Sequence, residues 1–138
     1  MPLNLAGFML LKDCSQIFTL GPQGTFSDEA AQKVRNTGVG VTYTSTFVEA
    51  LVRVSEDPES VAVVPVENSV AGTVAQVQDS LVRYDLLILG EINLPIEYAL
   101  LANAELEQVK LYFSHPQALE QSSGFISKNL GKARNQFT

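Results

Sequence analysis

The chain has 138 residues, 46% of them hydrophobic, which is the size of one ordinary domain with enough apolar material for a core. Its formal net charge of −6 and the lack of any Lys/Arg run argue against a nucleic-acid surface or an anionic membrane as main partner, so an anionic ligand has to be held locally. Cys14 is the only cysteine, which leaves no disulfide framework or multi-cysteine metal site and fits a reducing cytoplasm.

The chain opens on an apolar stretch without a basic start or a small-residue cleavage pattern, and no run approaches the roughly 18 apolar residues of a membrane span. Residues 1–16 are therefore expected to be an extension rather than a targeting signal. From Ile17 the pattern alternates. Ile17-Phe18-Thr19-Leu20 reads as a strand, Gly21-Pro22-Gln23-Gly24 as a turn, and Ser27 to Val34 as a helix. Val39 to Tyr43 is rich in β-branched residues, Phe47 to Val54 has helical apolar spacing, and Asp57-Pro58 ends that helix. Val61 to Val66 is a continuous apolar run of the kind found in buried parallel strands. Gly72 to Tyr84 carries Val74, Val77 and Leu81 on one helical stripe. Leu86 to Leu89 reads as a further buried strand, with Ile96 to Ala102 extending the sheet. Val109 to Phe113 reads as a strand leading into a helix at Ser114-His115-Pro116, since proline suits a first helical turn and serine is a favoured cap. The polar tail 129–138 is expected to end without another strand. Alternating elements of this kind point to α/β architecture.

Three strand-to-helix junctions carry polar groups. In Thr19-Leu20-Gly21-Pro22-Gln23-Gly24-Thr25-Phe26-Ser27, two glycines permit close backbone approach, and free amides with the helix dipole favour a carboxylate or phosphate. A well-capped helix after a tight loop explains the same residues. The stretch has neither the third glycine of a dinucleotide fingerprint nor a Gly-Lys-Ser/Thr ending. In Pro65-Val66-Glu67-Asn68-Ser69-Val70-Ala71-Gly72-Thr73, Asn68 and Ser69 either cap the next helix or turn to a ligand. Glu67 is the only carboxylate beside them, a candidate general acid on one reading and a hydrogen-bonding strut on the other. At the third junction His115 lacks a second histidine or a cysteine cluster, so no metal is expected. Gln117 and Gln121 fall four apart and share one helix face. Hydroxyls and amides without lysine or arginine suit a small polyoxygenated anion in a crevice at strand carboxyl ends.

Gly21-Pro22-Gln23-Gly24-Thr25-Phe26-Ser27, then Pro65-Val66-Glu67-Asn68-Ser69 with Gly72 and Asp79 downstream, then Ser114-His115-Pro116-Gln117-Ala118-Leu119-Glu120-Gln121, in this order, closely resemble prephenate dehydratase. The resemblance runs from about Ile17 to about Gln121. It implies a two-lobed α/β domain similar to type II periplasmic binding proteins, with lobes over residues 17–70 and 71–138, substrate in the cleft between them, and no cofactor. It implies loss of carbon dioxide and the ring hydroxyl from prephenate, giving phenylpyruvate on the way to phenylalanine. By the family pattern Asn68, Ser114 and Gln121 belong to the site, with Thr25, Ser27, Ser69, His115 and Gln117 close by.

The family places a Thr-Arg-Phe motif after a further helix and strand, its threonine the proton donor and its arginine a carboxylate partner. Arg134-Asn135-Gln136-Phe137-Thr138 is not that motif, Val77-Gln78-Asp79 stands where Thr-x-Asp is usual, and Ser122 replaces a common cysteine. The domain is thus expected to be incomplete at its C-terminus, with its catalytic donor unidentified. A cytoplasmic enzyme acting on a small dicarboxylate is one expectation; a non-catalytic binder of prephenate-like or arylpyruvate anions and an inactive fragment are the others. A lobe without its return segment leaves a strand edge uncovered, from which a homo-oligomer is expected.

Overall fold

Burial alternates along β1 (Gln16–Leu20), with Ile17 and Thr19 buried and their neighbours half-buried, because successive side chains of a strand point to opposite faces. The computed structural model describes residues 14–68 and 72–137. The extension expected over residues 1–16 lies, up to residue 13, outside the described residues. β1 is the middle strand of a parallel sheet with β2 (Gly40–Thr44) on one side and β3 (Ser60–Val63) on the other. Ile17 stands opposite Val41 in one register and opposite Val61 in the other. Parallel neighbours need long crossovers, and these are α1 (Phe26–Val34) and α2 (Phe47–Glu56). Cys14, Ile17, Ala31 and Val39 form the core, with Val34, Val41, Val61 and Val63 packed against them. α2 buries Ala50 and Leu51, and α3 (Ala75–Arg83), which buries Val77, packs against α2. The expected α/β class with parallel strands is what the structure has.

Around the second junction the structure differs from expectation. The strand stops at Val63 rather than Val66, and a small antiparallel hairpin follows, β4 (Glu67–Asn68) with β5 (Gly72–Thr73). Gly72 has φ +76, a left-handed backbone that a helix interior does not use, so α3 starts only at Ala75. The amide of Val74 donates to the Val66 carbonyl at 3.0 Å and closes the hairpin.

The chain divides into two compact units, one reaching to Pro95 and the other starting at Ile96. The second unit contains β6 (Leu111–Ser114), α4 (Pro116–Gln121), α5 (Ser123–Asn129) and β7 (Arg134–Phe137). β7 pairs parallel to β6, Leu111 opposite Arg134 and Ser114 opposite Phe137, so the tail does contain a strand. Its polar composition hid it. A strand in a two-stranded sheet is held by its backbone ladder, here entered by the Arg134 amide donating to the Lys110 carbonyl at 2.9 Å. Leu86–Leu89 and Ile96–Ala102, by contrast, are in no strand. Leu87 is 84% and Leu101 90% exposed. Apolar character makes a segment worth burying, but a strand also needs an edge to pair with.

Candidate functional site

The first junction is built around a carboxylate. Thr25 caps α1, its hydroxyl accepting from the Asp28 amide at 3.3 Å and donating to the Pro22 carbonyl at 3.0 Å. Asp28 turns back toward the loop, and its Oδ2 accepts the Gly24 amide at 2.8 Å. Its Oδ1 accepts from Gln32 Nε2 at 3.0 Å and from the Tyr43 hydroxyl at 2.8 Å. Asp28 is only 7% exposed. The Gly24 amide above all, then Gln32 and Tyr43, hold its carboxyl below the ordinary carboxylate range, against the opposing effect of burial. The same bond raises the Tyr43 phenol above its ordinary value. The turn needs its glycines: a Cβ on Gly21 would lie 2.9 Å from Tyr43 Cβ, and Gly24 has φ +87.

The Gly24 amide, one of the donors expected from the sequence to face a ligand, is thus already taken by Asp28. Ser27, half-buried in the first turn of α1, accepts through its carbonyl from the buried Thr19 hydroxyl at 3.3 Å. An open depression of ≈ 540 Å³ lies against this turn, lined by Gly24, Thr25, Phe26, Asp28, Glu29 and Gln32.

Asp28 escaped the reading of the sequence, although its signal was present. A hydroxyl followed three residues later by an acid is the pattern of a reciprocal helix cap. It occurs twice, at Thr25/Asp28 and Thr46/Glu49. At α2 the Thr46 hydroxyl accepts from the Glu49 amide at 3.0 Å, and Glu49 Oε2 accepts from the Ser45 amide at 2.9 Å.

At the second junction Asn68 is half-buried in β4 opposite Gly72, and Glu67 is exposed opposite Thr73. Asn68 does not cap α3, whose N-cap is Val74 without a side-chain bond. The hairpin intervenes between strand and helix. Ser69 lies outside the described residues.

At the third junction the cap is His115, one residue later than expected. Its Nδ1 accepts from the Gln117 amide at 3.3 Å, with Pro116 in the first helical turn. Proline occupies the first helical position, so the residue before it becomes the cap and Ser114 is left as the last residue of β6. A bare, accepting Nδ1 puts the neutral ring's proton on Nε2. Gln121 ends α4, and its Oε1 accepts from the Tyr98 hydroxyl at 3.0 Å. Ser114, His115, Gln117 and Gln121 therefore share one strand–helix unit, whereas Thr25 and Ser27 share the first junction. Among the described residues no group of three or more His, Cys, Asp or Glu is placed to hold a metal, and no helix is long and apolar enough to cross a membrane.

Comparison with known proteins places the chain among relatives of one kind. The chain is 39% identical over 114 residues to a bifunctional chorismate mutase/prephenate dehydratase of Buchnera aphidicola, an alignment covering 79% of this chain and 30% of that protein. It is 37% identical over 117 residues to a prephenate dehydratase of Methanocaldococcus jannaschii, covering 82% of this chain and 42% of that one. The crystal structure of a prephenate dehydratase from Staphylococcus aureus superposes with a TM-score of 0.76 at 29% identity, over 89% of this chain and 47% of the other. The chain thus spans less than half the length of each of these relatives. The family model of prephenate dehydratase matches residues 17–137, and the chain belongs to that family.

Proposed function

We propose that the chain binds prephenate and serves its conversion to phenylpyruvate, carbon dioxide and water in phenylalanine biosynthesis. The observation that carries this reading is the family match over residues 17–137, which takes in all three polar junctions. Prephenate has two carboxylates and a ring hydroxyl. The ring carboxylate leaves as carbon dioxide, its bonding pair enters the ring, and the hydroxyl departs with a proton as water. The ring becomes aromatic, which drives the step. The protein's task is to orient the dianion and to supply that proton. On this reading Thr25, Ser27, Asn68, Ser69, Ser114, His115, Gln117 and Gln121 are the substrate-binding residues. Glu67, exposed beside Asn68, is the candidate donor. We place the chain in the cytoplasm as a homo-oligomer, with the exposed Leu87, Ile88 and Leu101 supporting self-association. A purely monomeric species in light scattering at micromolar concentration argues against the oligomer.

The deciding experiment is incubation of the full chain with prephenate, following phenylpyruvate formation alongside calorimetric titration. Turnover supports the enzyme. Binding without turnover supports a non-catalytic binder of prephenate-like anions. Neither binding nor turnover refutes both.

A further inference from the structure

We infer that Asp28 is a positioning residue for the proposed site, its buried carboxylate tying the Gly21–Thr25 turn to β2 and thereby setting where Thr25 and Ser27 stand for a ligand. This rests on the substrate reading above. Three separate pieces of chain meet on this one anion: the turn through the Gly24 amide, α1 through Gln32, and β2 through the Tyr43 hydroxyl. Thr25 closes the arrangement from the other side, accepting from the Asp28 amide and donating to Pro22. The turn is consequently held at both of its ends by the residues that begin the helix.

The second cap in the same fold shows what goes beyond ordinary capping. At α2 the Glu49 carboxylate receives the Ser45 amide, and its further partner is Arg53 on the same helix, at 3.8 Å. Among the described residues no strand bonds to it. A cap needs only the amide contact, so the tyrosine bond from β2 to Asp28 is additional. Its consequence is to fix the turn relative to the sheet rather than only relative to its own helix. The lowered carboxyl keeps the tie charged through neutral pH. Because Asp28 already occupies the Gly24 amide and the single Thr25 hydroxyl proton is donated to Pro22, a substrate carboxylate at this junction is received by the Ser27 hydroxyl instead.

The test compares Asp28→Asn and Tyr43→Phe with Glu49→Gln, in the full chain. Thermal stability, exchange of the Gly24 amide by NMR and prephenate affinity by calorimetry are measured for each. Both variants at the tie are expected to speed exchange at Gly24. Asp28→Asn should weaken prephenate binding about tenfold, the scale of one charge-assisted hydrogen bond, and Tyr43→Phe about threefold. Glu49→Gln should lower thermal stability slightly and leave affinity within about twofold of wild type, although it removes the same carboxylate charge from a cap of the same kind. Unchanged affinity in both tie variants overturns the inference, as does an equal loss in Glu49→Gln, which would mark a merely structural effect. Tyr43→Phe keeps the test available if Asp28→Asn does not fold. If the wild-type chain binds no prephenate, the substrate reading fails. Exchange at Gly24 then decides the tie separately: faster exchange in Tyr43→Phe supports it, and unchanged exchange overturns it.

Discussion

Replacing Thr19 by valine tests whether a buried hydroxyl at the end of β1 holds the sheet together beside the first junction. Thr19 is fully buried, and its hydroxyl donates to the Val63 carbonyl at 2.8 Å, with the Ser27 carbonyl at 3.3 Å. One side chain therefore links the last residue of β3 to the first turn of α1. Valine has nearly the same shape, so packing is kept and the change isolates the lost donor. Losing such a bond and stranding its acceptor costs about 1–3 kcal/mol. Burying the new methyl returns up to about 0.8 kcal/mol. The net expectation is a loss of up to about 2 kcal/mol, with about 1 kcal/mol the central figure. With a urea m-value of about 2 kcal/mol/M, the midpoint falls by roughly 0.5 M, and by up to about 1 M, at unchanged slope. Urea unfolding followed by far-UV circular dichroism reads it directly. A Thr19→Val protein as stable as wild type, or more stable, refutes the reasoning, since the hydroxyl would then contribute no more than a methyl.

Asp28 should impose a pH dependence of definite sign. Its carboxyl lies below the ordinary value in the folded state, so its contribution is full above the unfolded carboxylate value of about 4 and is lost as pH falls through the folded one. Thermal melts from neutral to strongly acid pH should show this decline in wild type and a flatter profile in Asp28→Asn; parallel profiles would contradict it. Gly21→Ala should destabilise by about 1–3 kcal/mol in urea, because its Cβ meets Tyr43 Cβ at 2.9 Å and β1 or β2 must shift. Asn68→Ala should weaken prephenate binding with the melting temperature nearly unchanged, as measured by calorimetry and thermal melts. A collapse of stability would instead make Asn68 a structural residue of the hairpin.

The three-stranded sheet and its two crossover helices were legible because each of these elements announces itself locally. The strands are apolar runs, and both crossover helices start at a threonine cap. What escaped depends on partners distant in sequence. Two-residue strands such as Glu67–Asn68 and Gly72–Thr73 are too short to show a period, so Gly72–Thr73 reads from the sequence as the start of a helix. Arg134–Phe137 is a strand through its ladder with β6, while Leu86–Leu89 has the composition of a strand and no ladder. The cap at the third junction moved from Ser114 to His115 because the place of proline outranked the preference of serine. At the candidate site the hydroxyl and amide residues were visible as types. The role of Asp28 was not, since one of the three partners of its carboxylate is Tyr43, on β2 and fifteen residues away.

The central place of β1 bears on the order in which the chain assembles. During synthesis the first strand of the sheet emerges with neither neighbour yet made. Ile17 has to wait for Val41 and then for Val61, so both of its edges stay open in the meantime. The loop to be closed for β3 is nearly twice the one for β2, which adds about 0.5 kcal/mol of chain entropy by the logarithmic rule. Docking of β2 through α1 is therefore expected to lead, with β3 completing the sheet. In pulse-labelling during refolding, amides shared between β1 and β2 should become protected before those shared between β1 and β3. The reverse sequence would mean that packing of α2, rather than loop length, governs the nascent sheet.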